Sequence, residues 1–314
     1  MSHIRIVLTG AAGFIGSNLA GRLLQEGHAV IGVDNFMTGN PANLDSLQAW
    51  PSFTFIEHDV IQPIGVDGPV DWVMHFASPA SPPKYLNYPI ETMRVNGEGT
   101  RHLLELCQHK NAGFLLASTS EIYGDPSVHP QPESYYGNVN AIGPRSCYNE
   151  AKRYAEALTY WMSRTYGIPV RVIRIFNTFG PKMDLNDGRV ITNFINQILA
   201  DKNLTIYGDG SQTRSFQYID DLVDGILRLL DTPYDQPVNL GNPVEHTILE
   251  IAEIVKELMN STASIEFLPL PEDDPRRRKP DITVSKSILG WEPKISLHEA
   301  LLRTIRYYQS QFIH

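Results

Sequence analysis

The sequence predicts an α/β fold in which helices cover both faces of a doubly wound parallel sheet, with a smaller C-terminal lobe. Three observations lead there. Short β-rich runs alternate with longer segments of helical period through the first half of the chain. A glycine-rich turn follows the first of those runs. Beyond residue 180 the regularity breaks, with Asn, Asp, Gly and Pro scattered through 181–189, 207–215 and 231–247.

Taken in order, Ile4–Leu8 is an uninterrupted apolar run with one arginine, the pattern of a strand buried on both faces. Strands are expected again at Ala29–Val33, Phe53–Ile56, Trp72–His75, Phe114–Ser118 and Val170–Ile175. Helices are expected at Gly16–Glu26, Ile90–His109 and Tyr148–Tyr166, the last with its apolar face on Tyr154, Ala155, Leu158 and Trp161. In the second half only Leu249–Met259 and Leu297–Tyr308 read clearly as helices. Residues 1–180 are therefore expected to form the sheet domain, with late strands returning from 216–245, and 181–314 mainly a covering lobe.

Composition narrows the function classes. Of 314 residues 42% are hydrophobic and 19% charged, ample for a folded core and unlike a disordered chain. With 26 basic against 35 acidic side chains the net charge is −9, which repels a phosphate backbone and argues against nucleic acid as a partner. No apolar stretch approaches the ~20 residues needed to cross a bilayer, and the N-terminus runs into a strand rather than a secretory signal. The two cysteines, Cys107 and Cys147, are too few for a disulfide framework or a four-ligand zinc site. A cytoplasmic protein without a metal centre is the expectation, and both thiols read as structural.

The turn after the first strand is Gly10-Ala-Ala-Gly13-Phe-Ile-Gly16. Gly10 makes the tight turn, Gly13 lets the backbone approach a pyrophosphate, and Gly16 lets helix and strand pack closely. Asp34 closes the second strand, where a carboxylate accepts hydrogen bonds from a ribose diol and opposes a 2′-phosphate, so NAD is expected rather than NADP. Asp59 closes the third strand; it can face the adenine or be an ordinary surface aspartate.

Tyr148 and Lys152 are one helical turn apart and share a face. A phenol is a poor base at neutral pH, but a neighbouring ammonium and a positive nicotinamide ring would both stabilise its phenolate. Ser118-Thr119-Ser120-Glu121 closes the fifth strand at the carboxyl edge of the sheet, where ligands of open α/β folds bind. Hydroxyls there can hold a reacting alcohol, and Glu121 can act as an acid or base.

With these residues the chain resembles the extended short-chain dehydrogenase/reductase family, NAD-dependent nucleotide-sugar epimerases, dehydratases and decarboxylases on a Rossmann-type sheet. The resemblance covers nearly the whole chain. It runs through His75-Phe-Ala-Ser-Pro-Ala-Ser-Pro-Pro83, Ser118-Thr-Ser-Glu-Ile-Tyr-Gly124, Arg174-Ile-Phe-Asn-Thr-Phe-Gly-Pro181, Asn186-Asp-Gly-Arg-Val190, Gly210-Ser-Gln-Thr-Arg-Ser-Phe-Gln-Tyr218 and Asp274-Pro-Arg-Arg-Arg-Lys-Pro-Asp281. Within the family the set is most similar to the branch that decarboxylates UDP-glucuronate to UDP-xylose. Dehydratases of the family carry Asp-Glu after the threonine, whereas here Ser120 follows Thr119, so the acid that would protonate a leaving hydroxyl is absent. A departing CO₂ needs no such acid.

The resemblance implies that residues 1–180 bind NAD, with Phe14, Ile15, Asn35, Val60 and Ala77 beside the glycines and acids already named. It implies that 181–314 bind the UDP-sugar: Arg189, Arg214 and Asn177 near the pyrophosphate, Tyr207 near the uracil, and Arg278 near the sugar carboxylate. For Arg189 and Arg214 a solvated surface charge is the competing reading. Arg276 and Lys279, in the same mixed-charge run as Arg278, read as solvated. UDP-glucuronate 4-epimerase remains the alternative activity, since it needs the same tyrosine, lysine and carboxylate clamp. A non-enzymatic NAD sensor on this fold is a weaker alternative, opposed by the intact Tyr148 and Lys152. Helices Ile90–His109 and Tyr148–Tyr166 resemble those that pair across a two-fold axis in the family, which implies a homodimer.

Overall fold

The computed structural model describes residues 3–269 and 277–311. Seven parallel strands form the central sheet: β1 (Arg5–Thr9), β2 (Ala29–Asp34), β3 (Phe53–Glu57), β4 (Trp72–His75), β5 (Gly113–Thr119), β6 (Val170–Ile175) and β7 (Pro237–Leu240). Their spatial order is β7-β6-β5-β4-β1-β2-β3. The order reverses between β1 and β4, which leaves a crevice at their carboxyl ends, the position where open α/β sheets bind ligands.

Alternating side chains along each strand feed two cores. Ile6, Leu8, Met74, Leu115 and Ile173 enter one, together with Leu19 and Leu23 of the Phe14–Gln25 helix. Val7, Val73, Phe114, Leu116, Val170 and Val172 enter the other, against Leu103 and Leu104 of the Thr100–Lys110 helix. This period of two, apolar on both sides, is why the strands read as continuous hydrophobic runs.

The first, second, third and fifth predicted strands each run one residue further at the C-terminal end, to Thr9, Asp34, Glu57 and Thr119. Polar strand ends are poorly marked in sequence, yet parallel pairing continues through them. The helix expected over Ile90–His109 is split into Pro89–Arg94 and Thr100–Lys110 by a π-turn at Val95–Gly99, where two glycines weaken the helical preference.

The second half is more regular than expected. Helices Val190–Leu199, Ile219–Leu230 and Thr283–Leu289 were hidden by polar and glycine interruptions, although Leu222, Val223, Ile226 and Leu229 recur at helical spacing and are buried. Strand β7 lies within 216–245, in a stretch rich in turn residues, and is held by pairing with β6, far back in the chain. The expected apolar face of Ser146–Tyr166 is only half covered: Ala155 is buried, whereas Tyr154 and Trp161 are 55% and 65% exposed. Among the described residues no helix is long and apolar enough to cross a membrane.

Candidate active site

The glycine turn is built as its chemistry requires. Gly10 has φ +73 and donates from its N–H to Val33 O at 2.8 Å. A Cβ on Gly16 would lie 2.0 Å from Gly10 O, so only glycine lets the helix start against the turn. Gly13 is the N-cap of the Phe14–Gln25 helix, and Phe14, Ile15 and Gly16 of its first turn line the cleft.

Two adjoining cavities open there, a cleft of about 1400 Å³ and a smaller space of about 80 Å³ that share Gly13, Phe76 and Ser78 in their walls. The smaller one is lined by Gly10, Asp34, Asn35, Asp59, Val60 and Ala77. Asp34 Oδ2 accepts from Ala12 N and Oδ1 from Phe36 N, both at 2.9 Å, and each oxygen keeps capacity for a hydroxyl donor. Burial pushes the Asp34 carboxyl up, and those N–H groups oppose it. Asp59 Oδ1 accepts from Ile61 N at 3.1 Å in the same wall. A glycine cradle, a helix N-terminus and a carboxylate in one small cavity fit a dinucleotide with a free ribose diol.

Phe14, Ile15 and Gly16 line the larger cleft, as do the reacting-group candidates. Tyr148 and Lys152 project from the Ser146–Tyr166 helix, both buried, with the Lys152 Nζ 5.9 Å from the tyrosine ring centre. Lys152 donates to Ala117 O at 2.8 Å, which ties the helix to β5. Thr119 ends β5, and its Oγ1 accepts from Glu121 N, capping the short turn Ser120–Tyr123.

The protein's own groups do not lower the tyrosine as the sequence reading expects. Burial pushes Tyr148 up to about 12, with a hydrogen bond to Thr119 and the charges of Arg189 and Arg278 opposing. Burial likewise pushes Lys152 down to about 7, against the charge of Glu156. Burial thus shifts each group toward its neutral form.

Facing the tyrosine is a buried charge pair: Arg278 Nη1 donates to Glu121 Oε1 at 2.5 Å, and Arg145 Nη1 lies 3.5 Å from Glu121 Oε2. Burial pushes the Glu121 carboxyl up, but Arg278 and then Arg145 outweigh it and hold it below the usual range. Arg278 Nη2 and Tyr85 Oη are buried without a hydrogen-bond partner among the described residues.

Arg214 lies beside Arg278 because Thr213–Ser215 pairs in parallel with Arg277–Arg278, Arg214 opposite Arg278. Arg214 is buried and donates to Thr213 O, so the solvated reading fails for it. Arg189 donates to Ala80 O at 2.7 Å and pairs with Asp187 at 3.1 Å on the cleft wall. Asn177 and the half-exposed Tyr207 line the same cleft. Lys279 is not a solvated charge: it is half-buried, with Nζ 3.5 Å from Glu245 Oε2. Arg276 lies outside the described residues.

Two residues of the site escaped sequence reasoning. Tyr85 stacks on Tyr148 with ring centres 5.1 Å apart and planes 5° from parallel. Arg145 reaches Glu121, its Nη1 3.5 Å from Oε2. Tyr85 follows directly on the proline-rich motif, and Arg145 precedes Tyr148, so proximity to motifs was the one signal available for either.

Similarity to known proteins extends over nearly the whole chain. The chain is 52% identical to UDP-glucuronic acid decarboxylase 1 of Danio rerio over 310 residues, 99% of this chain and 74% of that protein. It is 50% identical to UDP-glucuronic acid decarboxylase 1 of Arabidopsis thaliana over 311 residues, 99% of this chain and 71% of that one. Among solved structures, UDP-glucuronic acid 4-epimerase of Bacillus cereus, in complex with UDP-glucuronic acid and NAD, superposes with a TM-score of 0.86 at 29% identity, covering 98% of this chain and 100% of that chain. UDP-glucose 4-epimerase of Thermotoga maritima with UDP-glucose gives 0.89 at 29%, with 98% and 100% covered. The family model described as NAD dependent epimerase/dehydratase matches residues 6–241. A seven-stranded sheet with its glycine cradle, a buried tyrosine and lysine at the carboxyl edge, and these matches over nearly all its length make the chain a member of the NAD dependent epimerase/dehydratase family.

Proposed function

We propose that the protein converts UDP-glucuronate to UDP-xylose and CO₂, a redox-neutral decarboxylation. The observation that carries this reading is Arg278, a buried guanidinium lining the cleft with Tyr148, bonded to Glu121 through one nitrogen and with the other unpartnered among the described residues. That free nitrogen is a ready donor for a carboxylate. The curated relatives at about half identity are decarboxylases of this substrate.

When bound, NAD supplies the hydride acceptor for carbon 4, a positive ring charge beside the phenol, and the hydride that reduces the ketone once CO₂ has gone. Gly10, Gly13, Phe14, Ile15, Gly16, Asp34, Asn35, Asp59, Val60 and Ala77 would hold it, with Lys152 on the ribose nearest the reacting carbon. Tyr148 accepts the 4-hydroxyl proton, and the Thr119 and Ser120 hydroxyls hold the oxygen. With carbon 4 a ketone, the carboxylate on carbon 5 is a β-keto acid; its C–C bond breaks, the electron pair passes into an enolate, and CO₂ leaves. Arg278 holds the carboxylate and then the enolate charge; a proton from water, positioned or relayed by the ionised Glu121, takes the place of CO₂ on carbon 5, and Tyr148 returns its proton to the 4-oxygen as the ketone is reduced. Asn177, Arg189, Tyr207 and Arg214 grip the nucleotide diphosphate, so 181–314 serve mainly the UDP-sugar and 1–180 mainly the NAD.

A second reading, UDP-glucuronate 4-epimerase, is favoured by the structural match to the Bacillus cereus enzyme. Proton NMR of purified protein with UDP-glucuronate and catalytic NAD separates the two. Anomeric signals of UDP-xylose with loss of the carboxylated sugar support the decarboxylase; UDP-galacturonate with no carbon lost overturns it.

A homodimer is part of the proposal. Ile90, Met93, Tyr154 and Trp161 lie exposed on neighbouring helices, a cluster of apolar area that a second copy would cover. Two unpaired, buried thiols, Cys107 and Cys147, support a reducing, cytoplasmic setting.

A further inference from the structure

Arg278 sits on a two-residue strand, and a guanidinium is only as fixed as the backbone that carries it. On one side that backbone pairs with Thr213–Ser215. On the other it meets Gln131, more than a hundred residues earlier in the chain and fully buried. Gln131 N donates to Lys279 O at 2.9 Å, and Asp281 N donates to Gln131 O at 3.0 Å. The Gln131 side chain closes the remaining gap: its Oε1 accepts from Lys279 N at 2.9 Å, while its Nε2 donates to Val128 O at 2.8 Å. Asn239, also buried, donates to both Gln131 O and Asp281 O, which fixes the clamp to the end of β7.

We infer that Gln131 is a positioning residue for Arg278: its side-chain carbonyl, holding the N–H of Lys279, sets the guanidinium against Glu121 and the substrate carboxylate. This rests on the role given to Arg278 above. Gln131 itself is absent from the cleft walls and touches no reacting group. Its backbone bonds survive any substitution but proline, so the side-chain bond can be removed with the chain path still held. The geometry at risk is a small displacement of one cation, the kind of error to which a reacting site is most sensitive.

The experiment is a double-mutant cycle in steady-state turnover of UDP-glucuronate. Gln131→Met keeps the volume and removes the acceptor; it is expected to lower kcat/KM roughly ten- to a hundredfold, divided between kcat and KM as the loss in Arg278→Ala is divided. In the Arg278→Ala background the same substitution is expected to cost nothing further, because its effect is routed through the guanidinium. A full loss repeated in that background, or parent turnover in Gln131→Met while Arg278→Ala is impaired, overturns the positioning role alone. Parent turnover in Arg278→Ala overturns the reading of Arg278. Should Gln131→Met not fold, Lys279→Pro deletes the same hydrogen bond from its other end and Lys279→Ala keeps it. The positioning role requires the proline variant to lose turnover and the alanine variant to retain it, and equal activity in the two overturns it.

Discussion

Glu121 and Arg278 stand 157 residues apart in the chain and meet in an ion pair of 2.5 Å inside the cleft. Both ends are largely withdrawn from water, and the guanidinium is what keeps the buried carboxylate ionised. Loss of Arg278 strands a carboxylate, at a cost of about 3 kcal/mol in stability. The Glu121 carboxyl is held below its usual 4.5, so the pair's contribution is complete above that pH and is lost as pH falls through the lowered value. The gap in Tm between parent and Arg278→Ala should therefore narrow on acidification, as read by calorimetry; a constant gap would assign the loss to packing. Turnover should fall in the variant while NAD affinity holds.

Tyr148→Phe should cut turnover by at least about a hundredfold, because the phenol is the group proposed to take the hydroxyl proton. The ring still stacks on Tyr85, so UDP-sugar affinity measured by calorimetry should stay near the parent value. An active phenylalanine variant would move the base elsewhere.

Gly16→Ala should destabilise the fold and abolish NAD binding together. The new methyl would collide with Gly10 O, backbone against backbone, with no flexible side chain to yield. A cost above about 2 kcal/mol is expected. Urea unfolding and dinucleotide titration check the two halves.

Lys152 sets a pH signature of the protein without its dinucleotide. Burial pushes the ammonium down to about 7 from 10.5. Between those values the unfolded chain holds a proton that the folded chain has released, so stability rises with pH across the window, by up to about 1.4 kcal/mol per unit. Below it both states are charged and the burial cost is present in full. Lys152→Met should flatten the rise, and denaturant titrations across that range measure it.

Trp161→Glu, alone or with Tyr154→Glu, should turn a dimer into a monomer in sedimentation analysis without loss of the melting transition. Both side chains are exposed in the single chain, so the charge meets water rather than the core. An unchanged sedimentation coefficient at the monomer mass, before and after substitution, would remove the homodimer.

The series of parallel strands, the cradle of Gly10, Gly13 and Gly16, and the pairing of Tyr148 with Lys152 on one helical face were all legible in sequence. Each depends on neighbours a few residues away: alternation of apolar side chains, the backbone freedom of glycine, the pitch of a helix. Asp34 was legible for the same reason, as the end of a strand. What only the tertiary structure decided is who meets whom across long stretches of chain. Strand β7 exists because β6 offers it an edge, and the pair Arg277–Arg278 is a strand only between Thr213–Ser215 and Gln131. Tyr85 became part of the site by stacking, and Lys279 left the solvent by meeting Glu245. The charge states follow the same division. A sequence names the ionisable groups, but burial, which raises Tyr148 and lowers Lys152, and the opposing cation that holds Glu121 ionised are properties of the packed cleft, where desolvation and Coulomb attraction act between groups that no local pattern connects.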